Sequence, residues 1–119
     1  MSNIYSDPDH FGLSIVKSHN ASPAYQFNTI AVFRWDGWEP VRYFVAHDSG
    51  NSCFPPFEDI KLPHLIAVHT LADVDKFARE KWADLDLHRY FEEEGSAVDS
   101  AVAALMDGLD LSFQRGGAR

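Results

Sequence analysis

Apolar positions along the chain change period once, and the change divides it into two parts. From Phe11 to Val45 the spacing suits strands, and from Leu71 to Leu109 it suits helices. Phe11 to Lys17 predicts a short first strand, and the polar link SHNASPAY follows it. YQFNTIAVFR and EPVRYFVAH then flank Trp35-Asp36-Gly37-Trp38 and predict a β-hairpin, because Asp-Gly tolerates the positive φ angles of a two-residue turn. In that register Trp35 faces Trp38, Arg34 faces Glu39, Val32 faces Val41 and Ile30 faces Tyr43.

Alternation gives this hairpin two apolar faces. Ile30, Val32, Val41, Tyr43 and Val45 share one, and Phe27, Phe33, Trp35, Trp38 and Phe44 share the other. One face is expected to meet helices, and the second to be covered by other strands or by the N-terminal arm, or to be exposed near the turn. Pro40 lacks a backbone donor, so one side of its strand is expected at an edge.

HLIAVHTL is a further candidate strand that ends at Thr70, where Thr70 and Asp73 form a capping-box pair. Leu71, Val74, Phe77, Ala78, Trp82 and Leu85 then make an amphipathic stripe. Ser96 and Asp99 repeat the start signal ahead of Val98, Ala101, Val102, Leu105 and Leu109, with Gly108 as a stop. Leu85–Gly95 either extends the first helix or forms a separate turn.

The predicted fold is therefore α+β. A small antiparallel sheet has strands near 11–17, 25–35 and 38–46, with 64–69 as a further candidate, and packs with helices near 71–84 and 97–107. At 119 residues the chain is the size of one domain. A loose arm is expected over residues 1–10 and a frayed tail over 112–119.

Composition narrows the class. The 45% hydrophobic content, against 24% charged, provides the apolar area that a disordered chain lacks. One cysteine excludes an internal disulfide, and no basic start with an apolar run marks export, so a cytoplasmic setting is expected. No run is long enough for a membrane span. Net charge is −8, and residues 58–110, with thirteen acids against five bases, carry an excess of the same size. That field opposes direct nucleic-acid binding and suits a basic protein partner or mimicry of nucleic acid.

Catalytic chemistry finds little support. Cys53 and His47 stand six apart with no third group to orient them, and the six histidines follow no metal-ligand spacing. No catalytic residue, cofactor or metal is expected, and the protein is read as a non-enzyme.

The densest stretch is DSGNSCFPPFED, Asp48–Asp59. Asp48 is expected to accept backbone N–H groups from the residues just after it, Gly50 to supply a positive φ, Pro55 and Pro56 to set an extended path, and Phe57 to plug the core. Asp48, Ser49, Gly50, Ser52, Cys53, Pro56, Phe57 and Glu58 are thus read as a structural corner, with Cys53 inert.

Phe11-Gly12-Leu13, Tyr25-x-Phe27 and the run D-S-G-x-S-C-x-x-P-F-E from Asp48 to Glu58 resemble a family of short proteins of unknown function encoded by actinobacterial phages. The resemblance spans residues 8–83. The family pattern has cysteine where this chain has Asn51 and proline where it has Phe54, which puts any function resting on two thiols in doubt. The resemblance implies a phage accessory protein in the cytoplasm of a bacterial host. The expected role is noncatalytic binding of a host protein, with Trp35 and Trp38 as candidate anchors. The alternative is an acidic nucleic-acid mimic that inhibits a host DNA-binding protein.

Overall fold

The computed structural model describes residues 3–21, 26–36, 42–51, 56–85 and 96–111. The expected frayed tail, Trp38, Ser52, Cys53 and the 86–95 segment lie outside them. The described residues form a four-stranded antiparallel sheet and two α-helices, the α+β class predicted. The strands are β1 (Leu13–Asn20), β2 (Gln26–Trp35), β3 (Arg42–Asn51) and β4 (Ile66–Val68), and the helices are α1 (Leu71–Lys81) and α2 (Ala97–Met106). The sheet is a meander in chain order, so β1 and β4 are its edges.

The hairpin register differs from the one expected. Trp35 pairs with Arg42, Arg34 with Tyr43, Val32 with Val45 and Ile30 with His47, four positions further along β3 than a two-residue turn allows. Asp36 is the reason that the geometry gives. Its N–H donates to the Gly12 carbonyl at 2.9 Å, and its carboxylate accepts from the Ser14 hydroxyl and from Arg34 Nε at 2.7 Å. The neighbouring strand thus claims the residue that a tight turn would need. Among the described residues the ladder runs from Trp35 opposite Arg42 to Gln26 opposite Asn51, and Pro40 lies outside the described residues.

A shift of four positions keeps every side chain on its face, because strand periodicity is two. Ile30, Val32, Tyr43 and Val45 therefore meet the helices as expected, joined by Val68, Val74, Phe77, Ala78, Trp82, Ala101, Val102 and Leu105 in one buried cluster. On β1, a bulge between Ile15, opposite Phe33, and Lys17, opposite Val32, inserts Val16 as an extra residue in the ladder. Val16 packs on the helix-side cluster and Ile15 on the opposite one.

Both helices start as the sequence indicates. Thr70 Oγ1 accepts the Asp73 N–H at 3.1 Å while the Asp73 carboxylate accepts the Thr70 and His69 N–H groups, which completes the capping box. Those backbone bonds, His69's first, hold Asp73 below the usual carboxylate range. Ser96 Oγ accepts the Asp99 N–H at 3.2 Å, and Gly108, at φ 72°, turns the chain beyond α2. Arg79 bridges the helices, reaching Asp75 at 2.8 Å on its own helix and Asp99 at 2.6 Å on α2.

The opposite face holds the main correction. Residues 3–12 lie across it, although residues 1–10 are expected as a loose arm. Ile4 is 2% exposed and packs with Leu13, Ala31, Phe33, Ala46 and Phe57. Asn3 organises the arm by accepting the Tyr5 and Ser6 N–H groups, both at 2.8 Å, with its side-chain oxygen. A mostly polar segment with no apolar periodicity reads as loose, yet Ile4 fills a socket that the sheet cannot close alone, with Tyr5 and Phe11 packed beside it. Ile4→Ala is expected to destabilise the protein by about 2–5 kcal/mol, the usual cost of emptying a buried aliphatic site. A urea midpoint equal to that of the unaltered chain would restore the loose-arm reading.

Candidate functional site

The Asp48–Glu58 motif begins as strand. Asp48, Ser49 and Gly50 continue β3 opposite Thr29, Asn28 and Phe27. Gly50 is not in the left-handed region. It is small for another reason, since a Cβ there would stand 3.1 Å from the Phe27 ring, closer than carbon atoms sit comfortably. The ring of β2 thus occupies the space over Gly50 that a side chain would need.

Asp48 does cap a backbone N–H, but at long range. Its Oδ2 accepts from Phe57 N–H, nine residues on, at 2.8 Å. Phe57 is the residue at positive φ, 66°, where bulky side chains are rare. Its ring is fully buried, stacks on Tyr5 at 4.9 Å and meets Phe33 edge-on at 6.4 Å. Pro56 C=O accepts from Asn3 Nδ2 at 3.2 Å, and Glu58 C=O from Lys61 Nζ at 3.4 Å. Asp48, Pro56 and Phe57 therefore stitch the end of β3 to the N-terminal arm. Ser49 is exposed.

Trp35, expected opposite Trp38, stands opposite Arg42, and Trp38 lies outside the described residues. Trp35 is half-buried, pairs with Leu13 and Arg42 in the ladders, and packs on Phe44 at a ring separation of 5.8 Å. Gly12, at φ 75°, turns the chain beside its indole nitrogen.

Sequence reasoning missed the apolar pair that the fold leaves in solvent. Leu62 and Ile66 are 47% and 48% exposed, the large hydrophobic side chains so placed among the described residues. Leu62 opens a 3₁₀ turn, Leu62–His64, that is closed by the Lys61 N–H donating to His64 Nδ1 at 2.8 Å. Ile66 begins β4, paired with Val45 on one side only. The run HLIAVHTL signals a strand, but nothing in it marks that strand as an edge three residues long.

The chain matches, over residues 2–108, the family described as a domain of unknown function, DUF7574. It belongs to that family. Neither a curated protein nor a solved structure matches it. The matched span of this DUF7574 chain takes in the arm, all four strands, the motif and both helices, so the stitched corner lies wholly within it.

Charge is arranged locally. The Ser14 hydroxyl, with Arg34 behind it, holds Asp36 below the usual carboxylate range despite some desolvation. His19 and His47 are both held below the ordinary imidazole value, chiefly by burial. No group of three or more His, Cys, Asp or Glu among the described residues is placed to hold a metal ion, and no helix there is long and apolar enough to cross a membrane.

Asp48→Ala leaves the Phe57 N–H without its acceptor inside a half-buried corner and is expected to cost about 1–3 kcal/mol in chemical denaturation. Asp48→Asn retains an acceptor oxygen and should recover most of that. Equal losses in the two variants would show that the bond does not hold the corner.

Proposed function

We propose that this chain is a noncatalytic phage accessory protein that binds a host protein in the bacterial cytoplasm, and that it does so with the β4 edge of its sheet. The observation that carries the reading is the exposure of Leu62 and Ile66 beside β4, a strand that is an edge of the sheet among the described residues. Apolar side chains next to unpaired strand N–H and C=O groups suit a partner that adds main-chain hydrogen bonds and fills small pockets. Trp35 lies toward the same end of the sheet, since it packs on Phe44, and Phe44 pairs with Ala67 of β4. The phage setting rests on the resemblance carried by the Asp48–Glu58 motif, and the cytoplasmic one on the same resemblance together with the lone cysteine.

Two features of the acidic surface bear on partner choice. Asp75 and Asp99 are paired with Arg79, so part of the negative charge is neutralised within the helical layer. The remaining excess still favours a basic surface on the partner.

Affinity purification from a bacterial host lysate, with Leu62→Asp/Ile66→Asp as the comparison, tests the reading. One stoichiometric host protein is expected with the unaltered chain and none with the variant, while the thermal midpoint moves by no more than about 2 °C, as surface changes usually do. Equal capture by both proteins would remove β4 from the account. A partner that DNA displaces would move the reading to nucleic-acid mimicry.

A further inference from the structure

The C-terminal end of α1 is hydrogen-bonded to the sheet at Asn28. Its N–H donates to Asn20 Oδ1 at 2.8 Å, and its carbonyl accepts both the Ala21 N–H at 2.9 Å and the Trp82 indole N–H at 3.2 Å. Its side-chain oxygen lies 2.6 Å from His47 Nε2. Asn28 therefore ties β1, β3 and the end of α1 to β2. Trp82, fully buried, is the residue that caps α1 there.

Two histidines flank this joint in a single row. Ile30 pairs with His19 of β1 on one side and with His47 of β3 on the other, so both imidazoles share the helix-facing side of the sheet. The His19 ring meets Trp82 edge-on, with centroids 5.8 Å apart and planes at 86°.

Among the described residues, the charges acting on the pair are mostly positive. Lys17 of β1 acts on His19, Lys81 of α1 acts on His47, and Asp48 of β3 partly offsets the latter. The Asp48 carboxylate is engaged with Phe57 rather than with the imidazole. Lys17 donates to the Asp107 carbonyl just past α2 at 2.7 Å, and the Lys81 ammonium lies 5.7 Å over the Phe77 ring. Each lysine thus has a seat of its own, and a proton added to either histidine meets a neighbouring cation in a partly desolvated site.

We propose that His19 and His47 form an acid-sensitive latch, whose protonation releases Trp82 and the end of α1 from β2. The His47 Nε2 bond to the Asn28 oxygen is open to either protonation state, so the neutral pair suits the docked state through the partial burial of both rings and the uncharged ring that His19 presents to the indole. Depressed histidine values mean that the undocked state binds protons more readily. Docking is therefore fully favoured above the free imidazole value of about 6.5 and weakens as pH falls through the lower, docked-state values. Asp36 and Asp73 are held below the ordinary carboxylate range and titrate outside that window.

Hydrogen exchange of the Trp82 indole N–H, corrected for the intrinsic pH dependence of exchange, tests the latch between about pH 7.5 and about pH 5. Protection is expected to fall by about tenfold or more in the unaltered chain and to stay flat in His19→Gln/His47→Gln. Constant protection in the unaltered chain overturns the proposal, and so does an equal fall in the variant. Should the variant not fold, NMR titration of the two imidazoles in the unaltered chain decides it. Both are expected to titrate below the ordinary value, with the Trp82 indole signal following the same midpoint. A midpoint at or above the ordinary value, or an indole signal that does not follow, overturns the latch.

Discussion

Ile30, Ala31, Val32 and Phe33 are consecutive residues of one strand, and none of them reaches solvent. Successive side chains of a strand point to opposite faces, so such a run demands a cover on each side of the sheet. The helices supply the first cover with stripes that their sequences announce. The second comes from two irregular segments, the arm from Asn3 to Gly12 and the corner from Pro56 to Leu65, and much of the unusual local geometry follows from that need. Phe57 takes a left-handed backbone conformation that costs about 1–3 kcal/mol. Burying its ring against Phe33 and Tyr5 contributes about as much in the other direction. The Asp48 bond to its N–H then tips the balance toward the observed corner.

What the chain discloses and what it hides follow from the range of each interaction. Helix starts are local, and Thr70 with Asp73, or Ser96 with Asp99, specify them within four residues. Strand faces are nearly as legible, since parity survives a register shift by any even number. Register is not local. Asp36 and Gly37 carry a strong turn signal, yet Asp36 is bonded to Gly12, Ser14 and Arg34, partners that no reading of the hairpin by itself includes. Gly50 misleads for a similar reason, because its neighbour is the ring of Phe27 across the ladder rather than its own backbone conformation. Ile4 is the extreme case, since the scattered apolar side chains of its mostly polar segment give no periodicity from which burial follows.

The candidate site divides along the same line. The Asp48–Glu58 motif reads from the sequence as a corner, and its described members hold strand, corner and arm together. Leu62 and Ile66 could not be singled out, because exposure at a sheet edge depends on strand order. The two histidines that flank Ile30 become neighbours only through the β1–β2–β3 register, which brings together groups 28 positions apart in the chain. Membership of DUF7574 spans all of these features without assigning a role to any, so functional inference rests on the exposed edge and the charge pattern.

If the irregular cover is integral to the fold, its opening cannot be separated from loss of the sheet. Native-state hydrogen exchange in increasing denaturant measures this directly. The Phe57 N–H is predicted to share one unfolding isotherm with the amides of Ile30 through Phe33, because lifting the corner uncovers β2. Exchange of Phe57 through a separate opening of low free energy, with β2 still protected, would contradict the account.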